Sequence, residues 1–366
     1  MRRLVPAVGL VLVLGSLALL VLLVVADEGQ LAPSGQARGS KEDGPLPVVE
    51  EAARRLLERG AAAPATASYT GTQFMSAWSS EGTTSQVLEV SHTPADGTTW
   101  RGGGKAVRTA AHSADLSILG DGAVALMSRH YSLALGGSAR VAGRSVDVVE
   151  ASRPGAAPAR ALAARFWLDR VTGLVLRREV YDRDGDRVRA SAFVDVIVDA
   201  DPDAGGKADR ATERAGRAWS STLDGAALQR MRSAGWDCPG RLPGPLPLVD
   251  ARRGGTGRQI VHLSYADGIA SISVFQQRGS LDREHLRGYR RDTVDGRDVW
   301  VRAEIPRRVV WSAGGTVYTV VADAPERTVD RAVDALHEGA GNGAGSPMDR
   351  LGRGLDRVGS WFNPFE

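Results

Sequence analysis

The sequence predicts an α+β protein: two exported antiparallel-sheet domains behind one N-terminal transmembrane helix. Three observations carry that prediction. Leu4 to Ala26 is uncharged. From Ser68 to Asp199 apolar residues recur with the period of two that marks half-buried strands. Asp201 to Ala215 is dense in Gly and charge, and beyond it strands and helices begin afresh.

The N-terminal run holds 9 Leu and 7 Val in 23 residues, a helix of about 34 Å, enough to cross a hydrocarbon layer of about 30 Å. Arg2 and Arg3 precede it, and Asp27 and Glu28 follow. The basic end stays in the cytoplasm, which makes residues 1–26 a single-pass signal anchor in the cell membrane and puts the bulk of the chain outside. Val24 and Ala26 also suit a cleaved signal peptide, but the apolar run exceeds the usual h-region. The adjoining stretch lacks Cys, so a lipoprotein anchor is excluded.

Residues 27–47 read as a flexible stalk. The first domain spans 48–200. It opens with a helix from Val48 to Arg59, where Val49, Ala52, Ala53, Leu56 and Leu57 form one stripe. Strands are predicted at Gln86–His92, Ser145–Ala151, Ala164–Asp169, Leu174–Tyr181 and Arg187–Asp199. In the last, Val188, Ala190, Ala192, Val194, Val196 and Val198 share a face. The pairs Asp96-Gly97, Asp121-Gly122 and Asp184-Gly185 suit hairpin turns. One helix and a long antiparallel run suggest a curved sheet wrapped on that helix.

Residues 201–222 form a linker and 223–338 a smaller α+β domain. That domain has a short helix at Leu223–Ala234 and a hairpin of Ile260–Tyr265 and Ile269–Gln277 about Asp267-Gly268. Strands follow at Asp298–Ala303, Arg308–Ser312 and Val317–Ala322. The final helix, Glu326–His337, carries the stripe Val329, Ala332, Val333 and Leu336. Residues 339–366 are a spacer and an Arg-bearing amphipathic tail, which either docks on its own domain or lies on a membrane surface.

Little here points to catalysis, a metal or a cofactor. Charge is nearly balanced, 46 basic against 43 acidic residues, so no nucleic-acid partner is implied. The six His lack metal-ligand spacing, and one Cys excludes a Cys-clustered metal site. Gly-x-Ser-x-Gly is absent. Gly102-Gly103-Gly104-Lys105 lacks the spacing of a phosphate loop and reads as a hairpin. Asp182, Asp184 and Asp186 fail the calcium-loop pattern, with Gly185 fourth and Phe193 twelfth. Cys238 is either buried and inert or an exposed thiol. What remains is a bulky apolar inventory in the first domain: Phe74, Met75, Trp78, Leu88, Trp100, Met127, Tyr131, Phe166 and Trp167. These residues form either an ordinary core or the lining of a hollow for a lipid chain.

Two stretches carry a resemblance. Phe166 to Asp186 (FWLDRVTGLVLRREVYDRDGD) resembles the end of the first domain of the MucB/RseB family, and Ser264 to Phe275 (SYADGIASISVF) resembles a hairpin of that family's second domain. The order of elements to Pro325 and the terminal helix is similar. The resemblance implies a LolA-like half-barrel with an apolar hollow, here lined by Phe74, Trp78, Leu88, Trp100, Met127, Tyr131, Phe166 and Trp167. It implies a non-enzymatic regulator of a sigma-E-type envelope stress response that binds the extracytoplasmic segment of an anti-sigma factor and senses a lipid or lipoprotein. Arg290, Arg291, Arg302, Arg307 and Arg308 of the second domain are the candidates to meet an acidic segment of that partner. A lipid or lipoprotein carrier using the same hollow is the alternative.

Overall fold

The computed structural model describes residues 46–102, 105–109, 122–200, 219–254 and 260–341. The predicted membrane helix, the stalk up to residue 45, residues 201–218 of the linker and the amphipathic tail lie outside them. Among the described residues no helix is long and apolar enough to cross a membrane.

The chain opens with α1 (Leu46–Ala62). Glu51, Arg54 and Glu58 pair along its outer side, while Ala53 and Leu57 are fully buried. Pro64 lies in the 3-10 turn that ends it. Nine antiparallel strands follow: β1 (Ala67–Ser79), β2 (Gly82–Thr93), β3 (Gly97–Gly102), β4 (Lys105–Thr109), β5 (Ser132–Val141), β6 (Arg144–Ser152), β7 (Leu162–Asp169), β8 (Val175–Tyr181) and β9 (Arg187–Ala200). Their order is β4-β3-β2-β1-β9-β8-β7-β6-β5. Strands β9 and β5 are four positions apart, roughly 19 Å in a flat sheet, yet their Cα atoms approach within 8 Å. The sheet therefore curls, and α1 packs on β5, β6 and β7.

A helix absent from the sequence reading, α2 (Ala123–His130), lies between β4 and β5. Gly122, expected in a hairpin turn, is its N-cap at φ 80°. The turn at Gly97 is as expected, and so is that at Gly185. In β9 the expected single apolar face is broken. The register against β1 slips between Thr72 and Gln73, so Val194 has no opposite residue. A bulge of this kind reverses the alternation. Phe193 is consequently buried against Tyr69, whereas Ile197 is 69% exposed.

The second sheet runs β10-β12-β13-β14-β18-β17-β16-β15, with the short β11 paired to β12. The strands are β10 (Trp219–Thr222), β11 (Arg241–Leu242), β12 (Leu246–Gly254), β13 (Ile260–Ala266), β14 (Ser271–Arg278), β15 (Arg290–Val294), β16 (Arg297–Arg302), β17 (Arg307–Ala313) and β18 (Thr316–Asp323). Strand β10 of this sheet lies at the end of the range predicted as linker. Helix α3 (Gly225–Ser233) is capped by the Asp224 carboxylate, which accepts from Ala227 N at 2.7 Å. Helix α4 (Glu326–Gly341) buries the whole predicted stripe of Val329, Ala332, Val333 and Leu336 in one core with Trp311 and Tyr318. Cys238 lies in that core, and burial pushes its thiol up to about 11.

Candidate functional site: a charged seam between the domains

Of the eight residues predicted to line a hollow, seven are buried in side-chain packing and Trp78 is half-buried. They do not share one space. Met127, Tyr131 and Phe166 belong to the cluster around α1 and α2. Leu88, Trp100 and Trp167 belong to another that also holds Tyr69 and Leu176. Phe74 and Trp78 are in neither, and Trp78 faces the Arg187 guanidinium at 5.0 Å. An open groove of about 310 Å³ on β1–β3 is lined instead by Thr70, Thr72, Glu89, Ser91, Arg101 and others.

The five candidate arginines are distributed just as differently. Arg290 pairs with Glu81 and Asp292, Arg291 with Asp298, Arg302 with Glu304 at 2.8 Å and Arg307 with Glu326 at 3.0 Å. Arg308, opposite Arg302 across β16 and β17, makes no ion pair with a described residue. Four of the five charges are thus met within the chain.

Two of those arginines lead to the most constructed polar feature of the molecule. At one end of the second sheet the β13–β14 turn, the β16–β17 loop, the end of β18 and the start of α4 meet the first domain. At its buried end the Asp323 carboxylate takes Arg178 at 3.0 Å through one oxygen and Arg189 through the other. The second guanidinium nitrogen of Arg178 donates to Ile269 O. Nearby, Tyr131 Oη donates to Asp267 Oδ2 at 2.7 Å, while Asp267 Oδ1 accepts the Ile269 and Ala270 amides at 2.9 and 2.7 Å. Two guanidinium groups and two carboxylates make a balanced set, as burial of charge requires. Burial pulls Arg178 down to about 10, and burial with the neighbouring Arg178 pulls Arg189 to about 9. Burial and Asp267 push the Tyr131 hydroxyl up, so it stays a donor. The space left beside Met75, Arg178, Arg189, Ile305 and Asp323 is about 10 Å³, room for about one water at most.

Further out, Glu326 accepts from Ser80 N at 2.9 Å and Ser80 Oγ at 3.0 Å. Its other oxygen pairs with Arg307. Glu326 opens α4, where a negative charge is favoured by the helix dipole. Thr84 Oγ1 donates to Ala303 O at 3.0 Å, and the exposed pairs Arg290–Glu81 and Arg327–Asp184 close the rim.

Sequence alone placed Asp267 in a hairpin turn and Glu326 at a helix start, and gave none of Arg178, Arg189, Asp267, Asp323 or Glu326 a part in an interface. The available signal was charge where a strand should be apolar: Arg178 lies inside the run Val175–Tyr181, and Asp323 ends the run Thr316–Asp323.

Fold and seam define a protein of two antiparallel sheets whose built site is the interface between them. No cluster of metal-ligating side chains occurs among the described residues. Residues 105–214 match the family model of the MucB/RseB N-terminal domain. That stretch is similar to the MucB/RseB N-terminal domain and holds β4 to β9, the larger part of the curled first sheet. The chain is similar to MucB of Pseudomonas aeruginosa as solved in a MucA/MucB complex, at 22% identity over 77% of this chain and 96% of that one, TM-score 0.38. It is similar to MucB in complex with MucA(peri) at 23% identity over 76% and 96%, TM-score 0.37. A putative outer membrane lipoprotein-sorting protein domain from Vibrio parahaemolyticus is 11% identical over 45% and 98%, TM-score 0.22. No curated protein matches the sequence.

Proposed function

We propose that this chain is a membrane-anchored extracytoplasmic regulator, not an enzyme, that binds the exported segment of an anti-sigma factor and modulates an envelope stress response. The observation that carries the reading is the MucB/RseB match over residues 105–214. The uncharged run from Leu4 to Ala26 supports the anchor. An anchored regulator and an anchored partner share one plane, which raises effective concentration and lets a modest contact suffice. The lipid signal is read by the first domain, whose apolar side chains fill the space between α1, α2 and the sheet.

Four of the five candidate arginines meet carboxylates within the chain, so an acidic partner segment would compete with those weak, exposed pairs at Arg290 and Arg291. Arg308 and the outer rim of the seam remain for an acidic segment. The test is a membrane pull-down with the tagged full chain, paired with transcript profiling of a deletion strain. Capture of a single-pass anti-sigma factor and a rise in its sigma-dependent transcripts are expected. Unchanged transcripts under resting and envelope-stressed growth would overturn the regulator and favour a lipid carrier.

A further inference from the structure

The second domain contributes a side chain to the core of the first. Ile269, from the β13–β14 turn, is 5% exposed and packs in the cluster built by Leu57 of α1, Val124 and Met127 of α2, and Phe166 and Val180 of the sheet. The residue before it sits tighter still. Gly268 has φ 96°, and a Cβ there would stand 2.4 Å from Ala123 O and 2.6 Å from Met127 N. The turn therefore rests on the bare backbone of α2, an approach only glycine permits. Tyr131, the residue after α2, is tied to Asp267 of the same turn.

Helix α2 depends on these contacts. It has eight residues, and its N-cap Gly122 supplies no side-chain acceptor. A helix this short is unstable by itself, and an uncapped one more so. Besides α1 and the sheet, its support is the turn of the other domain. Beneath it Met127 and Phe166 are fully buried.

We propose that the Asp267–Ala270 turn is a plug. The second domain holds α2 shut over the apolar core of the first, and that core admits a fatty acyl chain only when the turn withdraws. This rests on the reading of the first domain as a lipid sensor and assigns its gate. The proposal explains how a lipid-binding domain keeps Met127 and Phe166 fully buried. It also couples any ligand beneath α2 to separation of the domains, since both cannot occupy the space under Met127.

The test uses the full chain in nanodiscs, with a twelve-carbon fatty acid bearing a terminal diazirine. Photolabelled peptides are mapped by mass spectrometry, with and without excess unlabelled fatty acid, and amide exchange of α2 is followed in parallel. Gly268→Ala is expected to raise α2 exchange at least tenfold and competable labelling of the α2 and β7 peptides at least tenfold over the wild type. Gly296→Ala has the same backbone strain at φ 74° but nothing within 4 Å, and is expected to match the wild type. Tyr131→Phe, which keeps the packing, is expected to raise both readouts two- to fivefold and serves if Gly268→Ala does not fold. Faster α2 exchange without competable labelling, unchanged exchange in both variants, or a wild type labelled as strongly as Gly268→Ala would each overturn the plug. None of these outcomes touches capture of the anti-sigma factor, so the regulator reading stands or falls separately.

Discussion

The two ends of the seam use the same chemistry in opposite surroundings. At one end Asp323 joins Arg178 and Arg189 with side chains about 10% exposed; at the other Glu81 joins Arg290 with side chains 34% and 54% exposed. Both are guanidinium–carboxylate contacts between domains. At the buried end water cannot replace a lost partner, so the cost of losing one carboxylate falls on two cations. At the rim water and salt do replace it. The lesson is that a count of interdomain ion pairs says little about what holds the domains together; the deepest one dominates.

The sharpest way to break that comparison is Asp323→Ala. It leaves Arg178 and Arg189 buried with Asp267 as the remaining nearby carboxylate. The expected loss is about 3–5 kcal/mol by denaturant unfolding, with domains that now unfold separately. The intact chain is expected to unfold as one unit. A loss under about 1 kcal/mol would show that the buried end is worth no more than the rim.

Acid tests whether the second domain fails by its own core or by the seam. His262 is stacked on Phe275 at 4.3 Å, and burial pulls it from its usual value near 6.5 down to about 4. The folded form thus prefers the neutral ring. Its contribution is complete above about 6.5 and is lost as pH falls toward about 4, on the order of 3 kcal/mol. His262→Phe should flatten that part of the stability profile. An unchanged slope between pH 6.5 and 4 would assign the acid sensitivity to other groups.

Glu326 stands between the extremes. Glu326→Gln keeps the shape but removes the charge that Ser80 and Arg307 share. A loss of about 1–2 kcal/mol is expected, from weaker charge-assisted hydrogen bonds and a weaker helix start. A loss as large as that of Asp323→Ala would erase the distinction between depth and rim.

Much of this arrangement was legible in the sequence, and the illegible part has physical causes. Long periodic segments were readable: β6 to β9 and the β13–β14 hairpin lie within two residues of their predicted ranges, and α4 starts where predicted and runs four residues further. Helix α2 was not, because eight residues give barely two turns of pattern and Asp121-Gly122 reads equally as a hairpin. Strand β10 was hidden by the adjoining linker composition. The aromatic inventory was correctly located in the first domain, but alternation cannot tell a filled core from a hollow. The bulge at Val194 moved Phe193 inward, and such a slip leaves no mark on a single sequence. The seam failed for a further reason. Its residues come from positions 80 to 327, and a strand arginine such as Arg178 reads as a solvent face until the opposite surface is known.

The smallest effect belongs to the rim. Arg290 pairs with Glu81 across the domains but also with Asp292 on its own strand, and its side chain is 54% exposed. Arg290→Gln therefore leaves Asp292 and Glu81 in water, not in protein. A stability change within about 0–1 kcal/mol is expected at low salt. At 1 M salt, where charges more than about 3 Å apart are screened, the difference from wild type should vanish. Asp323→Ala should keep its deficit under the same salt, because ions do not reach the buried pair. Measured side by side, the two variants give a salt-sensitive and a salt-insensitive ΔΔG from one interface. If both deficits shrank together, water would be entering the seam, and the approach of Gly268 to α2 would not exclude it.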